Sequence, residues 1–532
     1  MLLAFQSLTR ISIPVENDNL KDLNPVRMDA FSRAECLPST RQDILKFITN
    51  WLTTPSENEN ENVLWLHAMA GFGKSTISTT IAEYFRELER LGAFIFFNRQ
   101  TAASDPAIVV RTLSYQLARY EPSIKTAVCA AIEHNPGIAE AAMRVQFAKL
   151  LHEPLASLTT AAPHSRGPII IVLDALDECG DTVSRKNLLM LLTEELSKLP
   201  RVFRILITSR REPDIDAAFS DRANIVAVDL HSKDKSKTED VALYFRHSMA
   251  ALPRDGLASD WPGEENIQAL VSCSEGLFIW ASTAVRFIED GYNPEQQLDI
   301  LLDSRSHGKA KSALHTLYDT ALGAAGRWDS EDAARDFRAV LGTVVVVKTP
   351  LSDVSLDQLL GLQGRRSSRF ILKYLRCLLH WDPGQTVQIL HASFADYLSN
   401  PEQCGNHPWF IDLSYHHANI SSACFREMES SLKFNICELE TSHSFNKDVP
   451  DLPDRVQKFI SPSLRYACCF WADHLQETPP QVGMLTSLKD FLYVRLLYWL
   501  EVLSLIEDLS VASGTLKSIV KWAKVRSCNA DI

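Results

Sequence analysis

The residues from Val63 to Thr76, Val-Leu-Trp-Leu-His-Ala-Met-Ala-Gly-Phe-Gly-Lys-Ser-Thr, place an apolar run before a glycine turn that closes on Gly73-Lys74-Ser75. Such a turn curls the backbone N–H groups of Ala68, Met69, Ala70, Gly71, Phe72 and Gly73 around an anion, and the positive end of the following helix faces the same charge. The chemistry that fits is the binding of a nucleoside triphosphate. Gly71 and Gly73 admit the close approach, and Lys74 supplies a cation to the terminal phosphates. The Ser75 hydroxyl takes one position on Mg2+, and Thr76 supports the turn from the next helical position. The usual pattern has glycine where this chain has Ala68. Alanine fits there if its φ stays negative and is strained if the turn requires a positive one.

Two further groups of polar residues follow apolar runs. Pro168 to Leu173 reads as a fully buried strand and ends in Asp174-Ala175-Leu176-Asp177-Glu178. In an open α/β sheet the ligand crevice lies outside the carboxyl ends of the strands. Asp174 is therefore the expected partner of Ser75 on Mg2+, while Asp177 and Glu178 can orient or deprotonate a water that attacks the γ-phosphate. Phe203 to Arg210 is a third such run, and Arg210 points its guanidinium at the same crevice, where it can read the γ-phosphate. Arg211, next in line, reads as a surface charge because adjacent residues face opposite ways.

Positioning these groups takes a parallel sheet covered on both faces. Ala93 to Phe97 supplies another strand and Ala107 to Tyr120 a crossover helix, so strand and helix alternate as in an α/β P-loop NTPase fold. The expected NTPase core covers residues 36–215. It follows an irregular leader, 1–35, and contains a helix from Gln42 to Leu52 and a polar turn from Ser56 to Glu61. Residues 216–310 read as a helical lid, with Val241 to Ala251 and Ala281 to Glu289 as its clearest segments. In 311–400, helices at 331–341, 354–361 and 366–379 precede two short strands, Leu378 to Trp381 and Val387 to Leu390, joined by Asp382-Pro383-Gly384-Gln385. Three helices and a hairpin predict a winged helix. Residues 401–532 form a C-terminal helical region rich in aromatics and without an internal repeat.

The pieces Cys36-Leu37-Pro38-Ser39-Thr40-Arg41, the phosphate loop, Asp174 to Cys179, Thr208-Ser209-Arg210, Glu275 to Ala281 and His391 to Leu398 together resemble the NACHT family of STAND P-loop NTPases. The likeness is to the fungal kind with a nephrocystin-like N-terminal domain. The resemblance implies a signalling switch that binds ATP or ADP, or GTP, with Mg2+. ADP would hold lid and winged helix shut, exchange for ATP would release them for association with itself or with a related switch protein, and slow hydrolysis would reset the system. It further implies a role in innate defence or non-self recognition and a histidine, His391, that touches the ADP phosphate, while the repeat array that senses the trigger in relatives is missing after residue 532. Phe278 stands where relatives bring an apolar residue against the adenine, and it reads equally well as core. A non-hydrolysing adaptor and a constitutive ATPase are the alternatives.

Composition fits a folded protein of several compact units, with 532 residues, 46% hydrophobic and 23% charged. A formal charge of −12 without a Lys/Arg run argues against nucleic acid as a partner. Eleven cysteines with no Cys-x-x-Cys motif read as thiols of a reducing compartment, which predicts a cytoplasmic location. The opening residues make a poor signal peptide. Phe491 to Ile506 is apolar but short and carries Arg495 and Glu501, so a core helix is expected and not a membrane span. Cys404, His407, His416, His417 and Cys424 have the chemistry of zinc ligands, but their spacing matches no finger or ribbon, and structural roles are expected for them.

Overall fold

The computed structural model describes the chain except residues 1–19, 27–32, 55–60, 100–103, 157–166, 234–236, 253–256, 259, 304–311, 327, 329, 363–366, 442, 480–481 and 528–532. It divides into two compact units, 1–251 with 275–278, and 252–274 with 279–532.

The first unit is built on five parallel strands, β1 (Val63–His67), β2 (Leu91–Phe96), β3 (Ile169–Asp174), β4 (Phe203–Ser209) and β5 (Ile225–Asp229). Their order is β2-β3-β4-β1-β5. β1, β3 and β4 are buried along their whole length, as the inner strands of a covered parallel sheet must be, and the one cation among them, Arg204 of β4, donates to the Glu61 carbonyl at 2.6 Å. Successive residues feed opposite faces. Trp65, Ile171, Leu173, Ile205 and Ile207 pack on one side with Val110, Leu113 and Leu117 of helix α3 (Val109–Tyr120). Leu64, Leu66, Ile170, Val172 and Leu206 pack on the other with Ile77, Ile81 and Phe85 of α2 (Lys74–Glu87) and with Ile44 and Ile48 of α1 (Gln42–Thr53). β4 stands between β1 and β3, so the phosphate loop and the acidic strand end flank the carboxyl end of β4.

Two features of this unit differ from the sequence expectation. The sheet does not stop at residue 215, because β5 pairs with β1 from Val63↔Ile225 to His67↔Asp229. Only Ile225 and Val228 of this edge strand are buried, which weakens its apolar signal. The leader lies largely outside the described residues, but Leu20–Leu23 forms a 3-10 turn whose two leucines are buried in the sheet's core. Of the polar turn expected at Ser56 to Glu61, all but Glu61 lies outside the described residues.

Among the described residues the second unit is helical, with one short hairpin of Leu379–His380 against Gln388–Ile389. The expected helices at 331–341 and 354–361 occur as Glu331–Val346 and Asp353–Leu360. The expected helix at 366–379 is a single turn, Arg369–Leu372. Ile371, Leu372, Leu375, Cys377 and Leu378 are buried while Phe370 and Tyr374 are exposed, because the chain leaves the helix to enter the hairpin, and Asp353 takes both Arg369 Nε at 2.6 Å and the N–H of Gly384 at 3.1 Å. Phe491 to Ile506 consists of a π-turn, Phe491–Arg495, and a helix, Leu496–Leu505, that buries Trp499, Val502 and Leu503. Among the described residues no helix is long and apolar enough to cross a membrane.

The histidines of the second unit go to separate places. His407 stacks on Trp409 with ring centres 4.7 Å apart. His416 lies against Gly342, where a Cβ would come within 2.2 Å of its ring. His417 Nδ1 is 2.9 Å from His474 Nδ1, and His474 Nε2 is 2.6 Å from Tyr466 Oη. Tyr466 donating to His474 and His474 donating to His417 satisfies all three groups. Among the described residues no three His, Cys, Asp or Glu side chains gather to hold a metal ion.

Burial pushes His416 and His417 down to about 4 and holds His474 well below its ordinary value. The folded state therefore keeps all three neutral, while the unfolded chain protonates near the ordinary value of 6.5. Their contribution is fully present above that value and is lost as pH falls from it toward 4, by about 1.4 kcal/mol per pH unit for each proton. Urea unfolding followed by tryptophan fluorescence, which reports buried Trp471 and Trp499, is expected to show a lower midpoint at pH 5 than at pH 7. Equal midpoints would show that the three rings are accessible to protons.

Candidate functional site

The loop after β1 is tightly specified. Gly71 and Gly73 have φ of 83° and 81°, a region closed to most side chains, and a Cβ on Gly73 would lie 3.2 Å from Thr76 Oγ1. Thr76 donates that hydroxyl to the Gly73 carbonyl at 2.8 Å. Ala68 has a negative φ, donates its N–H to Ser209 O at 3.3 Å and buries its methyl among Leu66, Phe72 and Ile77. The alanine is thus accommodated without backbone strain. Phe72 is buried edge-on to His231, its carbonyl takes Arg41 Nη2 at 2.8 Å, and Met69 is 70% exposed at the mouth of the loop. Lys74 Nζ donates to the carbonyls of Ala68 and Met69 at 3.0 Å each, so the loop is wound around its own ammonium. Burial lowers the pKa of this lysine, and the nearby carboxylates of Asp177, Asp174 and Glu178 oppose that shift.

The acidic turn after β3 is held from several sides. Asp174 is fully buried, with Oδ1 accepting from Ser78 Oγ at 2.7 Å and Thr208 Oγ1 at 2.6 Å, and Oδ2 accepting from Arg33 Nη2 at 2.6 Å. Ala175 then takes a left-handed conformation, φ 60°, which turns the chain into the 3-10 turn Leu176–Glu178. Asp177 accepts the N–H of Arg210 at 2.9 Å and pairs with Arg210 Nε at 3.1 Å. Of the two carboxylates read as water-activating, Asp177 is therefore committed to Arg210. Glu178 is pushed up to about 7, first by burial and then by the charge of Asp177, against the pull of Arg99 and Arg210. Arg211 is exposed and pairs with Asp216 at 2.8 Å.

Three arginines outside the expected set complete the surroundings. Arg185, on helix α4 (Thr182–Glu194), is buried, grips Asp214 with Nε at 3.0 Å and Nη2 at 3.1 Å, and donates Nη1 to the carbonyls of Asp177 and Cys179. It fixes the backbone of the acidic turn. Arg41 reaches Phe72 O, gives its own N–H to Asp240 at 2.9 Å and lies 4.6 Å from the ring centre of Phe278. Phe278 is thereby packed between Arg41 and Tyr244, whose ring centre is 5.9 Å away. Arg33, from the end of the leader, also lies over the ring of Phe96 at 4.5 Å.

The site fits a magnesium nucleotide. Ser75 and Asp174 carry oxygens, the hard donors that Mg2+ selects, and the buried carboxylate of Asp174 already draws a cation in Arg33. A strand, a glycine loop and a helix that opens on lysine, beside an acidic strand end one strand removed, define a P-loop NTPase. Residues 39–210 match the family described as nephrocystin 3, N-terminal. The chain is 24% identical over 509 residues to the vegetative incompatibility protein HET-E-1 of Podospora anserina, a match covering 87% of this chain and 35% of that protein. The chain thus carries a NACHT-like domain and spans about a third of that relative's length. Among solved structures, a signal transduction ATPase with numerous domains and a tetratricopeptide repeat sensor from Pyrococcus horikoshii aligns with 93% of this chain and 65% of its own, at 14% identity and TM-score 0.38. Cdc6p from Pyrobaculum aerophilum aligns with 75% of this chain at 14% identity and TM-score 0.29.

His391, in the second unit, caps the helix Ala392–Ser399, accepting the N–H of Ser393 on Nδ1 at 3.2 Å. The same nitrogen lies 2.7 Å from Ser393 Oγ, a contact in which either group can donate.

Proposed function

We propose that the chain is an ATP/ADP signalling switch with slow hydrolysis, and that its active form associates with a second copy or a related switch protein. The observation that carries this reading is the Asp177–Arg210 pair. A guanidinium fixed through both its backbone N–H and its Nε, at the end of the strand between phosphate loop and acidic turn, is a preset reader of the γ-phosphate, the group that separates ATP from ADP. Lys74 and the loop N–H groups bind the phosphates common to both. Ser75 and Asp174 would hold Mg2+, which supplies charge neutralisation at the phosphates when bound. Glu178, titrating near neutrality, is the carboxyl suited to accept a proton from water. In the closed, ADP-bound form His391 supplies a ring N–H donor to phosphate. The likeness to the Podospora incompatibility protein supports a role in non-self recognition, and eleven cysteines without a Cys-x-x-Cys motif support a cytoplasmic location.

The direct test measures bound nucleotide and turnover on one purified sample of the full chain. Retained ADP with turnover well below the median enzyme rate of about 10 per second is expected. Rapid hydrolysis without a trigger would make the chain a constitutive ATPase, and bound nucleotide with no turnover at all would make it an adaptor.

A further inference from the structure

Asp174 carries a buried negative charge whose two oxygens are used unequally. Oδ1 is taken by two hydroxyls, Ser78 and Thr208, from the helix and strand on either side, whereas Oδ2 has the guanidinium of Arg33 at 2.6 Å. A metal ion can reach this carboxylate by exchanging one partner at Oδ2, or two at Oδ1. On Oδ2 it would stand within about 4 Å of the guanidinium, given a metal–oxygen distance near 2.1 Å, and two cations so close in a low-dielectric pocket repel strongly. Arg33 is held there from a second side by the ring of Phe96, whose strand position is paired with that of Asp174. The residues that follow run along the phosphate-loop helix and loop, through Cys36 N–H to Thr80 Oγ1 at 2.9 Å and Arg41 Nη2 to Phe72 O at 2.8 Å.

We infer that Arg33 is an internal occupant of the magnesium position: it neutralises Asp174 in the metal-free protein, and Mg2+ binding displaces it and loosens the start of the strap formed by residues 33–41. The inference rests on the nucleotide reading of the site and adds a regulator to it. Metal affinity is set by an intramolecular competitor, and arrival of the metal is reported to the segment ahead of the first helix.

The test compares Mn2+ binding to the ADP-loaded full chain, read from the free-ion electron paramagnetic resonance signal, in the parent, Arg33→Gln and Arg33→Ala. Removing the competitor is expected to tighten Mn2+ by about fivefold or more, the lower end of ordinary coupling between two ligands. ADP affinity in EDTA should stay the same. Unchanged or weaker Mn2+ binding in both variants would overturn the inference. Absence of ADP binding in the parent would count against the nucleotide reading instead, and the Mn2+ comparison would then be read without nucleotide to judge Arg33. If neither variant folds, the parent alone decides. Tryptic cleavage after Arg33 should quicken by about fivefold when Mg2+ is added to the ADP-loaded protein, because proteolysis follows the open population, and an unchanged rate would refute displacement.

Discussion

Lys74→Ala is expected to abolish nucleotide binding in a titration with ADP in EDTA, where no metal can compensate. Two losses act together. The phosphates lose a buried cation whose hydrogen bonds to charged oxygens contribute about 1.5–3 kcal/mol each, so affinity should fall by about 100-fold or more. The loop also loses the ammonium that draws the carbonyls of Ala68 and Met69 together at 3.0 Å, and with it part of its preset curvature. Lys74→Arg keeps the charge but not the compact ammonium that fits between those carbonyls, and it should restore little. An unaltered ADP affinity in Lys74→Ala would place the nucleotide somewhere other than this loop.

Glu178→Gln is expected to leave ATP and ADP affinities near those of the parent and to lower the hydrolysis rate by about 10²–10⁴, the usual contribution of a positioned base. The pH dependence has a definite sign. Glu178 is held up to about 7, so its proton-accepting form grows as pH rises through that value, and the parent's single-turnover rate should climb between about pH 6 and pH 8 before levelling. Asp177→Ala acts differently, because it frees Arg210 from its carboxylate. It should erase the preference for ATP over ADP while affecting both nucleotides' shared contacts little. Identical behaviour of the two variants would mean that the carboxylates act as one group and that the division of labour between them is wrong.

The elements that announced themselves in the sequence are those whose signal is local. β1 and β3 are apolar runs ended by polar residues, β4 is one interrupted only by Arg204, and the phosphate loop is defined by neighbours along the chain. The helix at 366–379 failed because periodicity registers burial but not the path between buried residues, and Leu375, Cys377 and Leu378 are buried without being helical. The sheet's limit was missed because β5 is half exposed. Arg33 and Arg185 were illegible for a different reason. An arginine's partner is chosen by the fold, and Arg33 meets a carboxylate 141 positions away, with no motif to mark it. The roles of Asp177 and Glu178 were indistinguishable as adjacent letters and separate only when the Ala175 turn sends one carboxylate toward Arg210.

The position of β5 bears on how this chain can be cut. With β5 in place, β1 is an interior strand, paired from Val63 to His67 on both sides. A fragment ended at residue 215, where the apolar runs stop, would strip one row of backbone N–H and C=O groups bare along the very strand that leads into the phosphate loop. An uncovered strand edge recruits a neighbouring chain edge to edge. Such a fragment would self-associate through that edge without any nucleotide, and its clumping would mimic activation. A fragment that keeps residues up to Ala251 retains the covering strand and the helix after it.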